Sequence, residues 1–236
     1  MIKLFMFLRR APGLTREEFW ERWHGEHAPL IAEAPTVAHR VRRYVQNRAI
    51  AEAAIPQLVL SDFDGVDELS FDTLDDLNAT IGEPRDRDRL AASVARLTAP
   101  EGTVALVTEE SVQFDRGFGA VKLIGLSRRA ARFETREDWI RYWIDVHGPL
   151  AHGVGEFTRY YGRYVHNYVL PSPLGTGGMD PEFDGIVEEW LESVDAFARC
   201  LAEPAYLEIV RPDELEFVDF GRSHMLIAEE HLIHEG

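Results

Sequence analysis

Two histidines, His27 and His147, close matching helical stretches of this chain. An imidazole in a partly apolar pocket titrates near neutral pH, so either residue suits general acid or base chemistry. Each ends a stripe spaced by four residues: Thr15, Phe19, Trp23 and His27 in one case, Thr135, Trp139, Trp143 and His147 in the other. That spacing sets the histidine with the aromatics, on the face turned toward a sheet. From spacing alone a structural role is the more common outcome, since a histidine at a helix C-terminus can donate to a free carbonyl. Asp64, Val66 and Glu68 alternate along one strand face, as do Asp184, Ile186 and Glu188. Paired carboxylates in unlike surroundings can hold different protonation states, whereas an Asp-Gly strand entry explains the aspartates without chemistry. Tyr44 and Asn47, like Tyr164 and Asn167, are three positions apart and point to opposite faces of an unbulged strand. His24 and His27 share a helix face, but Ile144 stands in place of His24 in the second stretch and no third ligand is evident. The sequence therefore reads against a metal site.

These residues recur because the chain is written twice. Thr15 to Leu30 reappears as Thr135 to Leu150 at an offset of 120, and Arg43-Tyr44-Val45 with Asn47 reappears as Arg163-Tyr164-Val165 with Asn167. Phe63-Asp64-Gly65 with Glu68 matches Phe183-Asp184-Gly185 with Glu188, and Glu109-Glu110 matches Glu229-Glu230. Two copies are too few for a solenoid, so two modules packed together, 1–116 and 117–236, are expected.

Composition narrows the partners. A net charge of -16 repels nucleic acid and anionic lipid, and no apolar run approaches the ~20 residues of a membrane span. Met1 to Leu8 has a mid-chain counterpart at Val121 to Leu126 and reads as a first strand, not a signal peptide. The lone Cys200 fits a reducing compartment, so a cytoplasmic location is expected. No glycine-rich phosphate loop or nucleophile elbow is present. The run Arg85-Asp86-Arg87-Asp88-Arg89 reads as a solvated helix face.

The elements that must position the candidates follow in the order strand, helix, strand, strand, helix, strand. Opening strands are expected at Lys3 to Leu8 and Lys122 to Leu126, with helices capped by Thr15 and Thr135 and broken near Pro29 and Pro149. Strands at 40–47, 62–71, 159–168 and 183–191 come next, then helical stretches at 74–97 and 194–210 interrupted at Pro84 and Pro204, then closing strands at 104–112 and 223–233. This is a ferredoxin-like order, with helices on one face of an antiparallel sheet. Two such sheets bury their bare faces against each other as an α+β barrel within one chain. Pro171 to Pro181, rich in glycine and proline, reads as a loop, with a less broken counterpart at Ala51 to Ser61.

The combination of an opening strand with Lys, a helix ending Trp-x-x-x-His-x-Pro-Leu, then Arg-Tyr-x-x-Asn, then Phe-Asp-Gly with a following Glu resembles the EthD family, and it is met twice. The resemblance implies a dimeric α+β barrel and matches His27 and His147 to the family's helix-end histidine, Asp64 and Asp184 to its acidic strand residue. Outside the motif, His166 stands in place of Gln46 and Arg159 in place of His39, so the two copies need not be equivalent. Tyr160, Tyr161, Tyr164, His166 and Tyr168 give the second copy more proton donors, which favours His147. The expected catalytic set is His147, His27, Asp184, Asp64, Tyr164 and His166, with Trp143, Trp23, Tyr44, Tyr161, Asn167 and Asn47 binding substrate. The expected function is cofactor-free lyase or isomerase chemistry on a small, largely apolar aromatic or polyketide-like metabolite, without a metal. A non-catalytic carrier and a haem-dependent enzyme are the second and third readings, and a homodimer is compatible with the family.

Overall fold

The computed structural model describes residues 1–50, 55, 60–171 and 182–236. The expected loops at 51–61 and 171–181 fall largely outside these. The first half contains β1 (Ile2–Arg10), α1 (Arg16–Arg22), α2 (Ala28–Ala32), α3 (Pro35–Arg40), β2 (Val41–Ala49), β3 (Gly65–Phe71), α4 (Leu74–Gly82), α5 (Pro84–Leu97) and β4 (Thr98–Asp115). The second contains β5 (Val121–Ser127), α6 (Arg136–Tyr142), α7 (Gly148–Gly153), α8 (Gly155–Thr158), β6 (Tyr161–Val169), β7 (Gly185–Leu191), α9 (Val194–Cys200), α10 (Arg211–Phe217) and β8 (His224–Glu235). The eight strands close an antiparallel barrel in the order β1-β3-β2-β8-β5-β7-β6-β4. Closure depends on the length of β4 and β8. Each pairs along one end with its own half and along the other with the opposite half, β4 with β1 and then β6, β8 with β5 and then β2. The two halves are thus joined edge to edge as well as across the interior, which removes free strand edges.

Alternation along each strand sends one set of side chains into the barrel and the other toward the helices. Phe5, Val66 and Leu106 meet Ile124, Ile186 and Leu226 in one apolar cluster shared by both halves. Beside it the interior is charged. Lys3 Nζ lies 2.8 Å from Glu68, 2.7 Å from Glu110 and 2.7 Å from Glu188, and Lys122 Nζ lies 2.6 Å from Glu68 and against Glu188. Asn47 and Asn167 donate to Glu68 and Glu188 at 3.3 and 2.9 Å. Burial opposes the Lys3 ammonium, but the three glutamates outweigh it and raise its pKa; Glu68 is held well below the usual carboxylate range because Lys122 and Lys3 outweigh its own burial. Asn47 and Asn167, expected in a binding pocket, therefore serve the barrel interior.

The Phe-Asp-Gly motif also has a structural explanation. Asp64 precedes β3 and accepts from the Arg10 backbone N–H at 2.8 Å and from its guanidinium; Asp184 does the same for Arg129. A side chain at Gly65 would come within 2.4 Å of the Trp23 ring, and one at Gly185 within 2.4 Å of Trp143. Asp64 and Asp184 thus tie strand entries together, and the glycines that follow make room for the tryptophans.

The first helix of each half does not break at its proline. Trp23–His27 and Trp143–His147 form π-helical turns in which Ala28 N–H reaches Trp23 O and Gly148 N–H reaches Trp143 O. Pro29 and Pro149 then lie in the first turn of α2 and α7, where an amide hydrogen is not required. The wider turn accommodates the ring, and helical chain continues to Ala32 and Gly153. A further π-turn at Tyr206–Val210 leads into α10, so helix extends beyond the expected stop near Val210. In the Arg-Asp run, Asp86 is buried and accepts from Thr36 at 2.7 Å, which departs from a wholly solvated face.

Candidate active site

Between helices and sheet, each half has a pocket built from equivalent positions. In the first half a cavity of about 530 Å³ is bounded by His27, Met6, Leu69, Leu90 and Val94, with Arg87 and Thr98 among its few polar members. In the second half the cavity is about 70 Å³, with His147, Tyr161, Tyr164, Glu189, Arg211 and Glu214 on its wall. At the repeat offset Leu69 corresponds to Glu189, Ala91 to Arg211, Val94 to Glu214, Val37 to Phe157 and Ala105 to Met225. One pocket is apolar and wide. Its twin is narrower, with larger side chains and ionisable groups at the same positions.

His27 is fully buried, its Nδ1 2.9 Å from Ser93 Oγ on α5 and its Nε2 3.7 Å from Asp67 Oδ2 on β3. Nε2 has no hydrogen-bond partner among the described residues. Asp67 is held from three sides: Trp23 Nε1 donates at 3.0 Å, Tyr44 hydroxyl at 2.7 Å and Gln46 at 3.3 Å. Burial lowers the His27 pKa, with Asp67 pulling part of the way back, so the resting imidazole is neutral at pH 7. Burial likewise raises Asp67, against the pull of His27 and the three donors.

His147 uses the same nitrogen, Nδ1, toward the position equivalent to Ser93, which here is Asp213, at 2.8 Å. Burial works against the Asp213 carboxylate, but hydrogen bonds from His147 and Tyr142 keep its pKa below the ordinary value. The position of Asp67 is taken by Val187. Across the pocket Glu189 is 7% exposed, and burial, reinforced by Glu214, raises its pKa well above the carboxylate range. Burial also raises Glu214, which accepts from Tyr206 at 2.8 Å and Arg211 at 3.0 Å.

The structure thus brings His27, Trp23 and Tyr44 together in one half, and His147, Trp143, Tyr161 and Tyr164 in the other. His166 lies 4.3 Å from Trp143, ring to ring, and burial lowers its pKa well below the imidazole range. Asp64, Asp184, Asn47 and Asn167 belong to neither pocket. Asp67, Ser93, Asp213, Glu189 and Glu214 were not anticipated from sequence, although the differences between copies at the repeat offset point to all five. His24 and His27 diverge across the π-turn: His24 stacks on Trp20 at 4.5 Å and its Nδ1 bonds Gln46, while His27 turns to Ser93. The second pocket, at about 70 Å³, cannot admit a haem macrocycle.

Residues 11–101 and 133–221 both match the family model for the EthD domain, together more than half of the chain. The chain belongs to the EthD family. Among its relatives, the conidial pigment biosynthesis dehydratase EthD of Metarhizium robertsii is 35% identical over 96 residues, 37% of this chain and 66% of that protein. The dehydratase ustZ of Ustilaginoidea virens is 29% identical over 101 residues, 40% of this chain and 72% of that protein. An anthrone oxidase-like protein of known structure superposes with a TM-score of 0.62 over 99% of this chain and 93% of its own, at 9% identity. A chlorite dismutase variant from Candidatus Nitrospira defluvii gives 0.51 over 97% and 90%, at 11% identity. At these identities the two structures share the fold of this chain and no more. Among the described residues, no helix is long and apolar enough to cross a membrane.

Proposed function

We propose that this chain is a dehydratase-type lyase whose substrate, a small and largely apolar aromatic or polyketide-like β-hydroxy ketone, occupies the cavity of the first half. The observation that carries this reading is the cavity's volume, about 530 Å³ with a mostly apolar wall, in which His27 is, among the described residues, the one side chain able to move a proton near neutral pH. Ligand sites of drug-sized molecules span roughly 300–1,000 Å³, so size favours this pocket over its twin of about 70 Å³. The dehydratase names of the two relatives point to the same reaction class.

In this reading the neutral His27 takes a proton at Nε2 from the carbon next to the substrate carbonyl. As that C–H bond breaks, a C=C bond forms and the β-hydroxyl departs, taking the same proton back from the imidazolium to leave as water. Asp67, 3.7 Å away and held by Trp23, Tyr44 and Gln46, stabilises the transient imidazolium; Ser93 holds Nδ1 and with it the ring orientation. Residues 1–116 and 117–236 act as two ferredoxin-like modules, a one-chain form of a two-subunit α+β barrel. The sequence-based preference for His147 has its own support in the Asp213–His147 pair, but that pocket lacks room for an aromatic ring.

The test is incubation with a panel of aromatic β-hydroxy ketones, followed by mass and absorbance. Loss of one water with growth of an extended chromophore is expected. Tight binding without any change of mass across the panel would favour a carrier over an enzyme.

A further inference from the structure

The pocket of the second half carries a group the dehydration reading does not use. Glu189 Oε2 has no hydrogen-bond partner, although Tyr161 serves the carboxyl, and Glu189 forms no ion pair among the described residues. The other acids beside it are accounted for: Glu214 is paired with Arg211 at 3.0 Å and Asp213 with His147 at 2.8 Å. Around this carboxyl the wall is aromatic, formed by Trp143, Phe157, Tyr161, Tyr164, Tyr206 and Phe217. These rings support each other, Phe157 stacking on Tyr206 at 5.3 Å and meeting Tyr161 at 5.0 Å, with Tyr161 and Tyr164 at 5.7 Å. In the first half the position of Glu189 is Leu69, that of Tyr161 is Val41 and that of Phe157 is Val37. Tyr206 and Phe217 likewise stand at the positions of Asp86 and Leu97, so the carboxyl and four of the six rings are particular to this half.

We infer that the second pocket is a binding site for a small organic ammonium ion, of the size of methylammonium to trimethylammonium. Aromatic faces attract a desolvated cation through their quadrupoles, and the unpaired Glu189 oxygen supplies the charge-assisted hydrogen bond that fixes it. A volume of about 70 Å³ admits a few heavy atoms and excludes larger quaternary ions, given that one water occupies roughly 10–15 Å³ on the same measure. Buried beside Glu214, the Glu189 carboxyl resists ionisation in the empty pocket; an arriving cation removes that penalty. The site is independent of substrate turnover at His27.

Calorimetric titration of the full chain with methylammonium, trimethylammonium, tetraethylammonium and acetate tests the inference. The two small cations should bind, while tetraethylammonium and acetate should not. Glu189→Gln should weaken the cations by more than about tenfold, the worth of one charge-assisted hydrogen bond. Glu189→Leu, which installs the residue of the equivalent position in the first half, should abolish binding while melting at the same or a higher temperature. Acetate binding as tightly as methylammonium, undiminished cation affinity in Glu189→Gln, or no cation binding by the wild-type chain would each overturn the assignment.

Discussion

His27→Gln should lower turnover roughly a hundredfold or more, the usual contribution of a positioned acid or base, while the melting temperature moves little. Glutamine keeps a polar group that can bond Ser93 but cannot accept a proton. The pH profile carries a second expectation. The base must be neutral, and burial lowers the His27 pKa below the ordinary histidine value of 6.5. Turnover should therefore be on its plateau at pH 7 and fall only on acidification through that lowered pKa. Asp67 is the neighbour that raises it, so Asp67→Asn should move the acid limb to still lower pH while reducing the plateau rate. An Asp67 that does not stabilise the imidazolium during turnover would shift the limb but leave the plateau rate in place. Stability follows the same sign. An unfolded chain binds a proton to His27 below about pH 6.5 that the folded chain refuses, so His27 makes folding less favourable from there down to its folded pKa.

The largest expected effect on the fold comes from the barrel interior. Lys122→Met would leave Glu68 and Glu188 to share Lys3, with Lys122 no longer 2.6 Å from Glu68. Removing one partner of a buried ion pair costs about 3–5 kcal/mol, a large part of the ~5–15 kcal/mol that holds a typical domain folded. The urea midpoint should drop accordingly. Lys122→Met combined with Glu188→Leu should lose less than the single change, because the second substitution removes a carboxylate the first has stranded. A double variant weaker by the sum of two full penalties would show that the cluster is not coupled as its distances indicate.

Much of the fold was legible in the residues because the repeat gave each element two independent appearances. Thr15 and Thr135 cap their helices as expected, with Glu18 completing a capping box in the first half, and all eight strands lie where alternation placed them, with shifted ends. Pro29 and Pro149 misled because a proline was read against α-helical geometry, whereas a π-turn accommodates its ring. The second helical stretch was read as ending at Val210, which concealed α10, and with it Asp213 and Glu214. The site was harder to see for a physical reason. Polar residues shared by both halves, Lys3 and Lys122, Glu68 and Glu188, Asn47 and Asn167, recur because they pair across the barrel interior. The proposed chemistry and the proposed cation site rest instead on positions where the copies differ, Asp67 against Val187, Ser93 against Asp213 and Leu69 against Glu189. The motif Phe-Asp-Gly drew attention to Asp64 and Asp184, yet it is maintained by the Trp23 and Trp143 rings and by the strand entries. Strand alternation sends Asp67, beside Glu68, to the helix side, and only a known helix layer over that face identifies it as the partner of His27.

The most direct measurement is a crystal structure of the His27→Gln variant soaked with an aromatic β-hydroxy ketone that the wild-type chain dehydrates. The account predicts the intact molecule in the first-half cavity, its carbonyl-adjacent carbon within about 3.5 Å of the side chain at position 27, the reach of a near-attack geometry. Density for the molecule against His147 in the second-half pocket, with the first cavity empty, would contradict it.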